Sequence, residues 1–323
     1  MMGQQRPFRF GIQVSGASSR EAWIATARKA EALGYSTLLV DDHLGNPLAP
    51  LPALVTAAEV TTTLRIGTFV LANDFRHPVL LAREAATLDL LSSGRLELGL
   101  GTGYALADYT QSGIPLSPPG VRVSRFAEAV QIIKGMFADA PLTFAGRYYS
   151  IHDLNGATPM QRPHPPLLIG GGGQRMLSLA AREADIVSVN IKTTPTGGFD
   201  FRSLTAEAAA QKVAWVREAA GEHFQALELN LLVPLIAMTN NQRQGAEQLL
   251  RHWGIDTEAF SVGQVLESPS ALLGSVDQIV DNFNVPQRNW EIFASPEGAS
   301  SFLQRCGWNA LASWLGSSAA IAA

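Results

Sequence analysis

Cysteine is almost absent from this chain: one residue, Cys306, in 323. That excludes a disulfide framework and any metal cluster built on cysteines, and it leads to the expectation of a reducing, cytoplasmic setting. No run approaches the roughly 18 to 20 consecutive apolar residues of a membrane span, so no membrane partner is expected. The opening residues, Met1 to Pro7, carry no apolar core of the kind a secretory signal needs. Positive charge is not in excess either. Lys and Arg number 24 against 28 Asp and Glu, for a net charge of −4, so the chain lacks a basic footprint for nucleic acid. What is plentiful is apolar surface and glycine: 46 % hydrophobic residues, 16 % charged, and 29 glycines. Such a balance suits a globule with a large core. The length alone allows one large α/β domain or two smaller ones.

Short apolar runs alternate with helical patterns. Strand-like runs are Phe8 to Val14, Tyr35 to Val40, Leu64 to Leu71, Arg95 to Gly101, Leu167 to Ile169, Asp185 to Asn190 and Leu227 to Met238, with a weak eighth at Asn289 to Phe293. Between them lie helical stretches, among them Ser19 to Leu33, Leu51 to Thr63, a segment opened by His77-Pro78, Ser124 to Phe137 and Gln174 to Glu183. Thr205 to Ala220, Gln242 to Trp253, Pro269 to Phe283 and Gly298 to Leu315 complete the helical set. Strict alternation implies a parallel sheet with helices outside. Eight such units suit a closed (β/α)8 barrel, a single domain over residues 1–323, with an open doubly wound sheet as the alternative. A hairpin insert is expected after the fourth helix, from Leu142 to Phe144 and Tyr148 to Ile151. The tail, with no clear apolar eighth strand, leaves closure of the barrel open.

Two strand-like runs end in glycine. Leu98-Gly-Leu-Gly-Thr-Gly103 alternates glycines 99, 101 and 103, which strips one face of the strand end and would let a flat ligand come close to backbone. Leu167-Leu-Ile-Gly-Gly-Gly-Gly173 runs into a helix, and free N–H groups at a helix N-terminus attract phosphate. Gly170, Gly171, Gly172 and Gly173 are therefore phosphate candidates, a tight turn being the alternative. The first cluster is not a dinucleotide fingerprint: its spacing is G-x-G-x-G, on the fourth strand, so a nicotinamide dehydrogenase is the weaker reading.

Asp41-Asp42-His43 closes the second strand, where a barrel carries its reactive groups. His43 can serve as acid or base near neutral pH, or be a rim residue without chemistry. Asp42 is expected to orient His43 or to touch a cofactor; Asp41 is expected to cap the turn. No metal site is expected, since the other histidines show no ligand spacing. Asp108 and Tyr109 fall either in the same pocket or on an exposed loop.

The order of these pieces carries a resemblance. Asp41-Asp-His43, Gly67-Thr-Phe-Val70, His77-Pro78, Leu88-Asp-Leu-Leu-Ser-Ser-Gly-Arg95, Leu98-Gly-Leu-Gly-Thr-Gly103 and Pro163-His-Pro-Pro-Leu-Leu-Ile-Gly-Gly-Gly-Gly173 together resemble the bacterial-luciferase-like flavin and deazaflavin oxidoreductases, over residues 8 to about 280. Within that family the chain looks most like the branch that uses coenzyme F420, an 8-hydroxy-5-deazaflavin. The resemblance implies a barrel with the ring at the C-terminal strand ends. It implies a non-proline cis peptide at Phe69-Val70 forming a bulge against the ring, Thr102 and Gly103 at the ring edge, and phosphate at Gly170 to Gly173. His43, Asp42 and Tyr104 become the expected catalytic residues. Tyr104 stands where the deazaflavin-dependent sugar-phosphate dehydrogenases carry a glutamate, a departure that argues for an aromatic wall and a less polar substrate. The expected activity is hydride transfer between coenzyme F420 and a small organic substrate, with a second copy of the chain as the expected protein partner. FMN in an oxygen-using monooxygenase and a non-catalytic flavin-binding protein are the alternatives.

Overall fold

The computed structural model describes residues 9–275, 277–279 and 320–322. The chain opens with β1 (Gly11–Gln13), α1 (Arg20–Ala32), β2 (Thr37–Val40) and α2 (Pro50–Glu59). Then come β3 (Arg65–Thr68), its continuation β4 (Leu71–Ala72), α3 (Pro78–Leu91) and β5 (Leu96–Gly101). A short α4 (Leu106–Ser112) precedes α5 (Pro119–Phe137) and the hairpin β6 (Leu142–Ala145) and β7 (Ser150–Leu154). β8 (Leu167–Gly171), α6 (Gln174–Glu183) and β9 (Ile186–Val189) follow, then a rim hairpin of β10 (Lys192–Thr193) and β11 (Phe199–Asp200). The remainder is α7 (Ala206–Ala220), β12 (Glu228–Val233), β13 (Leu235–Met238), α8 (Gln242–His252), α9 (Val262–Glu267), β14 (Ala271–Gly274) and β15 (Ala320–Ala322). No helix among the described residues is long and apolar enough to cross a membrane.

The strands form the expected barrel. Their order is β3-β2-β1-β15-β12-β9-β8-β5, and β3 also pairs with β5, so the ring closes. Seven of these strands are parallel; β15 is antiparallel to both β1 and β12 and fills the eighth place. Thus the closing strand is Ala320–Ala322. The weak strand expected at 289–293 and the helix at 298–315 lie outside the described residues. Two expectations are corrected. The helix expected over 269–283 begins instead as a strand at Ala271–Gly274, paired in parallel with β13 in a small separate sheet, and is helical at 277–279. The single strand expected over 227–238 divides into β12 and β13, and Pro234 stands at the division. Proline has no N–H for a continuous ladder.

Helices cover the outside, so barrel strands are buried on both faces and read as unbroken apolar runs. Thr37–Val40 and Ile186–Val189 are buried at every position. The main core lies between strands and helices, with Leu38, Ile66, Leu98, Leu167, Val187 and Leu231 meeting residues such as Leu54, Leu81 and Ile133. A second, smaller cluster lies on the inner face: Leu39, Phe69, Leu168 and Ile186, with Val70 and Leu232 against it. By register, Thr37, Arg65 and Glu97 share that inner face one layer toward the strand N-termini. There Glu97 accepts from Arg9 Nη1 at 2.8 Å and Arg65 Nε at 2.6 Å, and Arg9 also pairs with Glu228 at 2.6 Å. This charged network plugs the bottom of the barrel and leaves its top for chemistry.

The approach to β3 is organised by Glu31 of α1, whose Oε1 accepts from the N–H groups of Thr62, Thr63 and Leu64 at 2.8, 2.7 and 3.0 Å. Burial alone would raise this carboxyl. The backbone bonds from Thr63, Leu64 and Thr62 outweigh it and hold the pKa at about 2. Because the folded value lies below the ordinary 4.5, the contribution is present above that pH and is lost as pH falls toward 2. Glu31→Gln is expected to cost about 1 kcal/mol, the size of a lost cap, and to lower Tm by about 1–2 °C. It should also flatten the acid limb of stability between those pH values. Thermal melts at pH 7 and pH 3 check both; an unchanged acid limb would remove Glu31 from that role.

Candidate active site

The site is built around the end of β3. The Phe69-Val70 peptide is cis, at the position the resemblance implied. The strand leaves its ladder here, and β5 receives it. Thr68 Oγ1 donates to Gly99 O at 2.8 Å and accepts from Gly99 N at 2.9 Å. A Cβ on Gly99 would overlap the Thr68 carbonyl oxygen, and one on Gly101 would sit 2.6 Å from Val70 Cγ2. This corrects the reading of those glycines. The bared face of β5 is occupied by the bulge of β3, not left open for a ligand. Phe69 is buried in the inner cluster, and the half-buried Val70 packs against it.

His43 leaves the end of β2, the strand beside β3. Its Nδ1 lies 2.8 Å from Asp108 Oδ2, and its Nε2 lies 3.3 Å from the Tyr104 hydroxyl. Asp108 Oδ1 also accepts from Leu44 N at 3.1 Å, so the carboxylate fixes both ring and loop. The His43 and Tyr104 rings meet edge to face at 5.6 Å. Tyr104 in turn packs on Phe199 of the rim hairpin at 5.5 Å. Burial, with Asp108 and Asp41 nearby, pushes the Tyr104 phenol up to about 12. Its hydroxyl stays protonated across the working range.

Asp42 does not orient His43. Its carboxylate forms a two-pronged pair with Arg76, at 2.5 and 2.7 Å, and accepts from Ala72 N at 2.9 Å. Ala72 is the exit of the bulge, so Asp42 holds the bulged segment in place. The orienting role expected of Asp42 falls to Asp108, 65 residues further along. Asp41 is a buried carboxylate accepting from Ser15, Asn46 and Gln13, which ties the loop after β2 down as a cap would.

Thr102 and Gly103 turn the chain out of β5. Gly103 has φ +73°, its carbonyl accepts from Arg122 Nη1, and a Cβ there would overlap the Tyr109 hydroxyl. That hydroxyl donates to Asp74, which Arg125 also holds at 2.6 Å. Tyr109 is therefore a buried buttress of the turn. Asp108 and Tyr109 sit on α4, a helix whose single buried turn gives no periodic signal in sequence.

The four glycines that end β8 and lead into α6 divide by environment. Cβ atoms would meet Asn190 Nδ2 at 2.6 Å from Gly170, Met176 Cγ at 2.6 Å from Gly171 and the backbone of Ile191 and Lys192 at 2.5 Å from Gly172. Only Gly173 faces open space, with nothing within 4 Å. It is the N-cap of α6, and no side chain caps that helix. Beside Gly170 lies a polar group unforeseen in the sequence. Ser188 Oγ is 2.9 Å from Asn190 Oδ1 and 2.6 Å from Asn230 Oδ1. One hydroxyl hydrogen serves only one of these, so the other amide turns its N–H₂ to the serine.

The stretch Leu88 to Arg95 acts structurally. Asp89 accepts from Gln161 N and Nε2 at 2.8 and 2.7 Å, and Arg95 donates to the carbonyls of Ser92, Leu64 and Ala58.

The family model described as luciferase-like monooxygenase matches residues 5–269. An F420-dependent glucose-6-phosphate dehydrogenase of Kineococcus radiotolerans is 32 % identical over 191 residues, 56 % of each chain. The chain thus spans little more than half the length of that relative. Among solved structures, the coenzyme F420 dependent tetrahydromethanopterin reductase from Methanopyrus kandleri superposes with a TM-score of 0.73 at 19 % identity, covering 95 % of this chain and 99 % of that one. A monooxygenase from Streptomyces bottropensis gives 0.69 at 19 % identity, with 95 % and 100 % covered. These two likenesses establish the fold.

Proposed function

The chain belongs to the luciferase-like monooxygenase family, and from that premise we propose that it is an oxidoreductase moving hydride between coenzyme F420 and a small, weakly polar organic substrate. One observation carries the reading: the Asp108–His43–Tyr104 chain stands at the end of β2, directly beside the Phe69-Val70 bulge at the end of β3. Proton chemistry and a ring platform thereby share one barrel mouth, the end where such barrels place their reactive groups. The F420-dependent relative supports the choice of cofactor.

The residues fit the group. Val70 would support the ring. The amides of Asn190 and Asn230 would meet its heteroatoms, and the uncapped N-terminus of α6 at Gly173 would take phosphate. When bound, a deazaflavin supplies a two-electron hydride acceptor or donor. The protein supplies position and proton management. Asp108 faces Nδ1 and so keeps the hydrogen there, leaving Nε2 as the acceptor. In the oxidative direction Nε2 takes the proton of a substrate hydroxyl; in the reductive direction it returns one to the carbonyl oxygen. Tyr104 remains neutral, donates to Nε2 or to the substrate oxygen, and with Phe199 forms an apolar wall. That wall favours a less polar substrate than a sugar phosphate.

Tyr104→Phe is expected to lower turnover about tenfold, the loss of one hydrogen bond of roughly 1.4 kcal/mol. The alkaline side of the pH profile should not change up to about pH 10, because the phenol does not ionise there. A variant that abolishes an alkaline limb below pH 10 would contradict this role.

FMN in a monooxygenase is the second reading, supported by the family model's description as luciferase-like monooxygenase. Expression in a host that makes both cofactors, followed by the visible spectrum and mass of what the protein retains, separates the two. Retained deazaflavin is expected; retained FMN would favour the second reading.

A further inference from the structure

Lys212 of α7 is 4 % exposed, and the proposed chemistry makes no use of it. Lysine is seldom buried without an anionic partner. Among the described residues, no carboxylate lies within ion-pair distance of Lys212. Its Nζ donates instead to two backbone carbonyls, Asn190 O and Ser203 O, each at 2.7 Å. Those carbonyls are the two feet of the rim hairpin: Asn190 directly follows β9, and Ser203 follows β11. One ammonium thus bridges the entry and the exit of residues 191–202. A second tie runs beside it, from Lys192 N to Ser203 Oγ at 2.8 Å.

The hairpin in turn reaches the site. Phe199 packs on Tyr104, which hydrogen-bonds His43. The turn is seated so closely that a Cβ on Gly197 would lie 2.9 Å from both Leu106 Cβ and the Tyr104 carbonyl. A shift of the feet would therefore carry Phe199 away from Tyr104. A plain space-filling role would be met by an apolar side chain at lower cost, since burial of the charge lowers the Lys212 pKa to about 8, with Asp200 opposing and Lys192 adding to the shift. Three donors and no acceptor suit the two carbonyls instead.

We propose that Lys212 is a positioning residue: it staples the 191–202 hairpin over the barrel mouth and so sets the Phe199–Tyr104 wall of the substrate pocket. Its consequence for substrate rests on the function proposed above; its mechanical part does not. The test is limited trypsin digestion at pH 7 of the full chain, comparing wild type with Lys212→Met and Lys212→Arg. Cleavage after Lys192 and Arg202, both exposed on the hairpin, is read by mass spectrometry relative to cleavage after Arg251 at the end of α8. Lys212→Met is expected to raise that ratio about tenfold with a smaller relative change elsewhere. Lys212→Arg, which keeps donors for both carbonyls, should restore the wild-type ratio. Where Lys212→Met does not fold, Lys212→Gln, with its single –NH₂, replaces it and is expected to give an intermediate ratio. A folded Met or Gln variant cut at the wild-type ratio, or an Arg variant as open as Met, would overturn the proposal. Because the readout needs no cofactor, it stands apart from failure of the deazaflavin reading. Cofactor titration of the Met variant, expected to match wild type, then locates the effect on the substrate side.

Discussion

His43→Ala should cut hydride transfer by about 10²- to 10⁴-fold, the range for loss of a positioned acid or base, while cofactor affinity stays within about threefold of wild type. The asymmetry follows from the geometry. His43 is held by Asp108 and faces Tyr104 through Nε2, the arrangement that the proposed proton transfer requires. The bulge it stands beside is held independently, by Asp42, Arg76 and the bond from Ala72 N. Asp108→Asn should reproduce much of the loss, because an amide can present its N–H₂ to Nδ1 and turn the imidazole into the wrong tautomer. Single-turnover spectra with the best substrate from a panel of simple alcohols and carbonyls provide the check. Equal rates in wild type and His43→Ala would leave His43 a rim residue and shift proton transfer to Tyr104.

The second large effect separates two neighbouring glycines. Gly173→Asp should weaken cofactor binding by about a hundredfold while leaving Tm unchanged or slightly higher. The new carboxylate has open space, and Asp is among the best N-cap residues for α6, so the fold gains a cap. The same carboxylate occupies and repels the place a phosphate would take. Gly172→Asp should behave differently. Its side chain would run into the backbone of Ile191 and Lys192, so Tm and affinity should fall together. Melting curves and cofactor titrations of the pair distinguish a phosphate site from a tight turn. If Gly173→Asp binds cofactor as wild type does, the phosphate lies elsewhere.

These two glycines also show where sequence reading stops. A run of four glycines before a helix is legible as a phosphate turn. Which of them is open to a ligand depends on Asn190, Met176 and the 191–192 backbone, residues brought there by tertiary packing. Likewise the alternating glycines of β5 were legible as a bare strand face. That the Thr68 carbonyl and Val70 fill that face is a cross-strand fact. The barrel itself was easy to see because its strands are buried on both sides and so are uniformly apolar, as in Thr37–Val40. Ala271–Gly274 misled for the opposite reason: four residues are too few to separate a strand period from a helical one. His43 is singled out by its place at a strand end and Tyr104 by the resemblance, and the structure brings the two within 3.3 Å of each other. Asp108 was only half found, since its partner lies 65 residues away, and Asp42 looked the better neighbour because adjacency in sequence is visible and adjacency in space is not. Lys212 gave no signal: on an amphipathic helix a lysine reads as solvent-facing, and only the carbonyls of Asn190 and Ser203 reveal otherwise.

The site's cofactor is tested most directly by titrating the apoprotein with coenzyme F420 and with FMN under identical conditions, following quenching of each cofactor's own fluorescence. Coenzyme F420 should bind at least about tenfold more tightly, a preference of roughly 1.4 kcal/mol or more, and Gly173→Asp should weaken it. FMN binding ahead of the deazaflavin, or neither binding at all, would contradict the proposed function.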